Sequence, residues 1–143
     1  MKLPTLFRAL SAMALAAMLL GPALARQGTN MAPNAKSVTI EGAVRDFACP
    51  IQNPAGTAAS FSLKCARDCV RHGSPIIILT KDGLIYFPIS PDMPDSGQRE
   101  KMMPFVGKYV QATGPVFERK GSRAIAITQI KELKSVHVID EGD

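Results

Sequence analysis

The chain lacks the short signatures that mark the common enzyme classes. It has no G-x-S-x-G elbow, no H-E-x-x-H helix, no Walker loop and no G-x-G-x-x-G after a strand. The carboxylates Asp92 and Asp95 in SPDMPDS fall in a turn sequence, where both residues are expected as turn formers or helix caps. A thiol oxidoreductase would carry Cys-x2-Cys at a helix N-terminus in a βαβ setting, and that framework is missing too. No catalysis is expected.

A long hydrophobic run is also absent. The longest, Ala9 to Leu20, has about 12 residues, where roughly 20 are needed to span a bilayer. Lys2 and Arg8 precede or border it, Gly21-Pro22 breaks it, and Ala23-Leu24-Ala25 supplies an A-x-A cleavage site, so residues 1–25 read as a signal peptide. No cysteine follows that site, which argues against a lipid anchor. The expected location is periplasmic or secreted, with no stable membrane insertion after signal cleavage. Large charge of one sign is likewise lacking: removing Lys2 and Arg8 with the signal lowers the formal charge from +5 to +3, so nucleic acid is not an expected partner.

What remains is ordinary in bulk. The chain has 143 residues, 46% apolar and 20% charged, which is single-domain length and composition. Residues 26–35 (RQGTNMAPNA) offer almost nothing to bury and are expected to be a flexible tether before a domain over 36–143. In VTIEGAVRDF the alternation places Val38, Ile40, Gly42 and Val44 inward and Thr39, Glu41, Ala43 and Arg45 outward, a half-buried first strand stopped by Cys49-Pro50. Residues 50–61 read as a loop. Ser60 or Ser62 can cap a helix over SLKCARDCVRH, which Gly73 ends. PIIILT and LIYFPI form a hairpin about Lys81-Asp82-Gly83. GQREKMMPF gives one or two helical turns. KYVQATGPVFERK and SRAIAITQIKEL pair about Lys120-Gly121, with a bulge expected at Gly114-Pro115.

The expected fold is therefore mainly β: a five-stranded barrel of the oligonucleotide/oligosaccharide-binding (OB) plan. A short inserted helix carries Cys-x3-Cys-x2-His, and a second short helix lies between strands three and four. From Val38 to Leu133, the segments GAVRDFACP, CARDC, DGLIYFPIS and PFVGKYVQATGPVFERKGSRAIAI resemble small exported bacterial OB-like proteins of uncharacterised function with a Cys-rich insert after strand one. The resemblance implies a fold and no particular activity.

The chemistry resides in Cys49, Cys65, Cys69 and His72. At about 100° per residue, Cys65, Cys69 and His72 share a helical strip roughly 60° wide, with Cys49 arriving from the end of the first strand. Three thiolates and an imidazole suit a soft ion, copper before zinc, and Met31, Met93, Met102 and Met103 are further sulfur donors. The Cys-x3-Cys spacing is similar to that of copper chaperones for respiratory oxidase assembly. Two other readings stand beside this one: a structural disulfide from Cys49 to Cys65 or Cys69 that leaves a spare thiol, and a redox-active thiol pair. His72 can instead satisfy carbonyls at the helix end, His137 is expected as an exposed strand residue, and Met102 and Met103 can fill the barrel end. Tyr86 and Tyr109 are the candidate ligand-binding residues of the alternative, an OB module for oligosaccharide or protein with the cysteines in a structural bridge. The expected partner in the metal reading is a metal-handling or envelope protein.

Overall fold

A computed structural model describes residues 35–53 and 58–142. The expected signal peptide, nearly all of the tether and Met31 lie outside these described residues. Within them the chain forms β1 (Ser37–Asp46), α1 (Ala48–Gln52), β2 (Ser60–Phe61), α2 (Leu63–Arg71), β3 (Ile76–Thr80) and β4 (Ile85–Ile89). After these come α3 (Gln98–Met102) with a 3₁₀ turn at Met103–Phe105, then β5 (Tyr109–Arg119), β6 (Ser122–Ala126), β7 (Gln129–Glu132) and β8 (Ile139–Asp140).

The sheet runs β1-β3-β4-β6-β5 and closes because β1 also pairs with β5. All barrel pairings are antiparallel except β4 with β6. This is the expected five-stranded OB-like barrel. Closure makes β1 serve two neighbours at once: Gly42 faces Thr80 of β3 and Val110 of β5. A Cβ there would stand 2.4 Å from the Leu79 carbonyl oxygen, so only glycine permits the crossing.

Turn chemistry follows the sequence. Gly83 has φ +83° in the β3–β4 turn; Lys120 and Gly121, at +49° and +86°, give the double positive φ of a primed hairpin. The bulge differs in place. The long last strand divides into β6 and β7, and between the pairs Val116–Ile125 and Thr113–Gln129 three residues oppose two, so the extra residue lies across from Gly114-Pro115. Gly114 is still what allows it, because a Cβ would meet the Ala126 carbonyl oxygen at 2.0 Å.

Two cores form on the two faces of β1 and β3. Ile40, Val44, Ile76, Ile78, Val110 and Ile125 fill the barrel together with Val70 and Met102 from the helices. Ala43, Ile77 and Leu79 point the other way, and bury against Phe61, Ala66 and Tyr109 beneath the insert and the C-terminal tail. Every residue of β3 is thereby buried, the physical reason its sequence is a continuous apolar run. The outward expectation for Ala43 and Arg45 is corrected by the same cover: both are buried.

Candidate metal centre

Each sulfur is placed by a local device. Ser62 caps α2, its hydroxyl accepting from Cys65 N at 3.1 Å, and Asp140 of the tail accepts from Leu63 N at 3.0 Å. Gly73, at φ +105°, and the Arg99 guanidinium, which donates to the Val70 carbonyl, finish the other end. The helix is regular between, so Cys65 and Cys69 stand one turn apart with their sulfurs 3.9 Å from each other. Cys49 comes from α1, an element the sequence reading left as loop. Pro50 sits in its first turn, where a missing N–H costs nothing, and Asp46 Oδ2 accepts from Cys49 N at 2.8 Å. That turn brings Cys49 Sγ to 3.4 Å from Cys65 Sγ.

All three sulfurs lie within 4.8 Å of one another and each residue is half-buried. With metal–sulfur bonds of about 2.3 Å, a tetrahedral shell has sulfur–sulfur edges of about 3.8 Å. The observed spacings straddle that edge, so small side-chain adjustments suffice to seat one ion.

Beneath the sulfurs lies a charged layer that the alternation pattern concealed. Arg45 and Asp46 are 4% and 0% exposed, with Arg45 Nε 3.9 Å from Asp46 Oδ1, and the guanidinium stacks 3.9 Å above the Phe61 ring. Burial lowers the Arg45 pKa, opposed by the Asp46 carboxylate and the neighbouring thiols. Burial also raises the Cys49 thiol far above its ordinary value, helped by the Cys65 sulfur and by Asp46. Cys69 is raised too, first by burial and then by Cys65. Metal-free, Cys49 and Cys69 favour the protonated thiol. The sequence signal for this layer was the Arg-Asp pair three residues before Cys49, and the small Ala43 beside it.

His72 does not join the sulfurs. It is the C-cap of α2, exposed, and its Nδ1 donates at 2.8 Å to the Asp68 carbonyl, which also accepts from the His72 backbone N–H at 2.9 Å. Met102 is buried in the barrel core as expected, while Met103 is 41% exposed rather than filling it. Met93 is exposed. His137 is exposed but precedes β8 rather than lying in a strand. Asp95 accepts from Ser90 N and Asp92 N donates to the Ser90 hydroxyl, the turn roles expected of them. Tyr86 and Tyr109 border one shallow cleft of about 350 Å³, yet Tyr109 is only 3% exposed and packs in the outer core, so its ring is no stacking platform. Burial raises its phenol pKa. Among the described residues no helix is long and apolar enough to cross a membrane. No family model matches this chain, and comparison with curated proteins and with solved structures yields no significant match.

Proposed function

We propose that this chain is an exported small binding protein that holds one soft metal ion, copper before zinc, on Cys49, Cys65 and Cys69. The observation that carries the reading is the mutual approach of three sulfurs within 4.8 Å, contributed by two separate elements. Sulfur donors without nitrogen or oxygen favour Cu(I). A structural zinc site closes four positions, and His72, the residue first expected to supply the fourth, bonds the Asp68 carbonyl instead. Export rests on the N-terminal pattern of residues 1–25, and the partner is a metal-handling or envelope protein that delivers or receives the ion. The role is binding and carriage, without catalysis.

Anaerobic titration of the reduced protein with Cu(I) tests this. One ion per chain at sub-micromolar affinity is expected, with a loss of about a hundredfold or more for Cys65→Ser and little change for His72→Ala. Absence of a stoichiometric complex would overturn the reading.

A second reading is favoured by one distance: at 3.4 Å, Cys49 and Cys65 are closer than Cys65 and Cys69 at 3.9 Å. A disulfide between them closes a loop worth about 3 kcal/mol and leaves Cys69 as a spare thiol. Alkylation of protein taken from its own compartment separates the two. Three modified thiols without prior reduction support the metal site; one supports the bridge.

A further inference from the structure

Three sulfurs leave an ion open to an incoming ligand on any side that the protein does not cover. The surroundings of the sulfurs determine what reaches it. Cys49 and Cys65, but not Cys69, border a cleft of about 220 Å³. Among the described residues its walls are Gln52 and Asn53 at the end of α1, Phe61 of β2, the α2 cap Ser62, Arg45, and Glu141 from the tail. Among the described residues, none of these walls offers sulfur or imidazole to a soft ion.

The cleft's size and polarity select the missing ligand. A water takes about 30 Å³, and pockets for drug-sized molecules begin near 300 Å³, so this space suits a group of amino-acid size. A soft ion on thiolates takes a further soft donor. The walls carry the Glu141 carboxylate and the side-chain amides of Gln52 and Asn53, beside the Arg45 guanidinium that faces Asp46, and these complement a thiol bearing both an ammonium and a carboxylate.

Resting on the metal reading above, we infer that this cleft is the port through which a small zwitterionic thiol of the cysteine class binds the held ion and exchanges it. The external thiol gives up its proton as its sulfur bonds the ion. The bond from Cys49 or Cys65 then breaks, and that sulfur takes up a proton. The ion keeps its oxidation state, so no oxidant or reductant is consumed.

The test uses the full chain loaded anaerobically with Cu(I) and exposed to free cysteine, to serine, and to a dodecapeptide with a central cysteine. Native mass spectrometry is expected to show a 1:1:1 adduct with cysteine and none with serine. Adduct formation with the peptide, too large for the cleft, is expected to be about tenfold weaker. Asn53→Trp and Gln52→Phe fill the cleft without removing a sulfur. Both are expected to load one ion, which also reports on their folding, and to lose the cysteine adduct about tenfold. Loaded wild-type protein that takes no cysteine, equal uptake by both filled variants, or tighter binding of the peptide than of cysteine overturns the small-thiol port. Failure of the wild-type chain to load copper at all overturns the metal reading instead.

Discussion

Cys49 is where the electrostatics of the site concentrate. Its thiol lies beside Cys65 and above the buried Asp46, all of which, with desolvation, hold the proton on the sulfur. An ion must displace that proton and the one that burial likewise holds on Cys69. Apparent affinity should therefore rise with pH by up to about two log units per unit in the range where these two thiols are protonated, readable by competition titrations at several pH values. The sign for folding is opposite. A thiol raised above its ordinary value near 9.0 stabilises the folded, metal-free protein below that pH, and the contribution fades as pH rises past it. Thermal unfolding of the reduced apoprotein should accordingly weaken above about pH 9 while the loaded form resists. Asp46 matters to the scaffold as well, since it accepts from Cys49 N and faces Arg45 without solvent. Asp46→Ala should cost about 3 kcal/mol in urea unfolding, because it strips the carboxylate from a buried ion pair.

α2 is held at both ends by residues distant in the chain. Asp140 reaches Leu63 N at one end and Arg99 reaches the Val70 carbonyl at the other. Local capping by Ser62 acts directly on Cys65, so Ser62→Ala should cost about 1 kcal/mol and loosen the Cys65–Cys69 pair, seen as weaker Cu(I) affinity with unchanged stoichiometry. By contrast, the exposed pairs of Asp68 with Lys64 and Arg71 should be near neutral when removed. β8 pairs in parallel with β2, Ser60 opposite Ile139, and Ser60 donates to Glu141. The tail thus closes over the same insert that carries the sulfurs.

At the scale of the whole molecule, barrel closure and the covered outer face are one arrangement. Where β1 passes between β5 and β3, Gly42 lets the backbones approach, and where β5 passes the bulge between β6 and β7, Gly114 does the same. Gly114→Ala places a methyl where the Ala126 carbonyl oxygen stands, and the variant should lose several kcal/mol or fail to fold, as circular dichroism and urea titration would report. The turns, the five barrel strands, the limits of α2 and the shared strip of Cys65 and Cys69 were legible in the sequence, because each depends on residues within a few positions: Asp-Gly, Lys-Gly, Ser62, Gly73 and a period of 3.6. The alternative for His72, satisfying a carbonyl at the helix end, was legible too, and the ring does so at Asp68. Burial of Arg45, the α1 turn that delivers Cys49 and the sealing of Tyr109 were not. They follow from the insert and the tail folding back over the second face of β1 and β3, a contact between segments roughly eighty residues apart that no local pattern encodes. Residue spacing alone put two sulfurs on one strip; only that long-range packing brings the third to them and opens a cleft beside the pair, since the hydrophobic gain of covering Ile77 and Leu79 is realised once the chain has closed on itself.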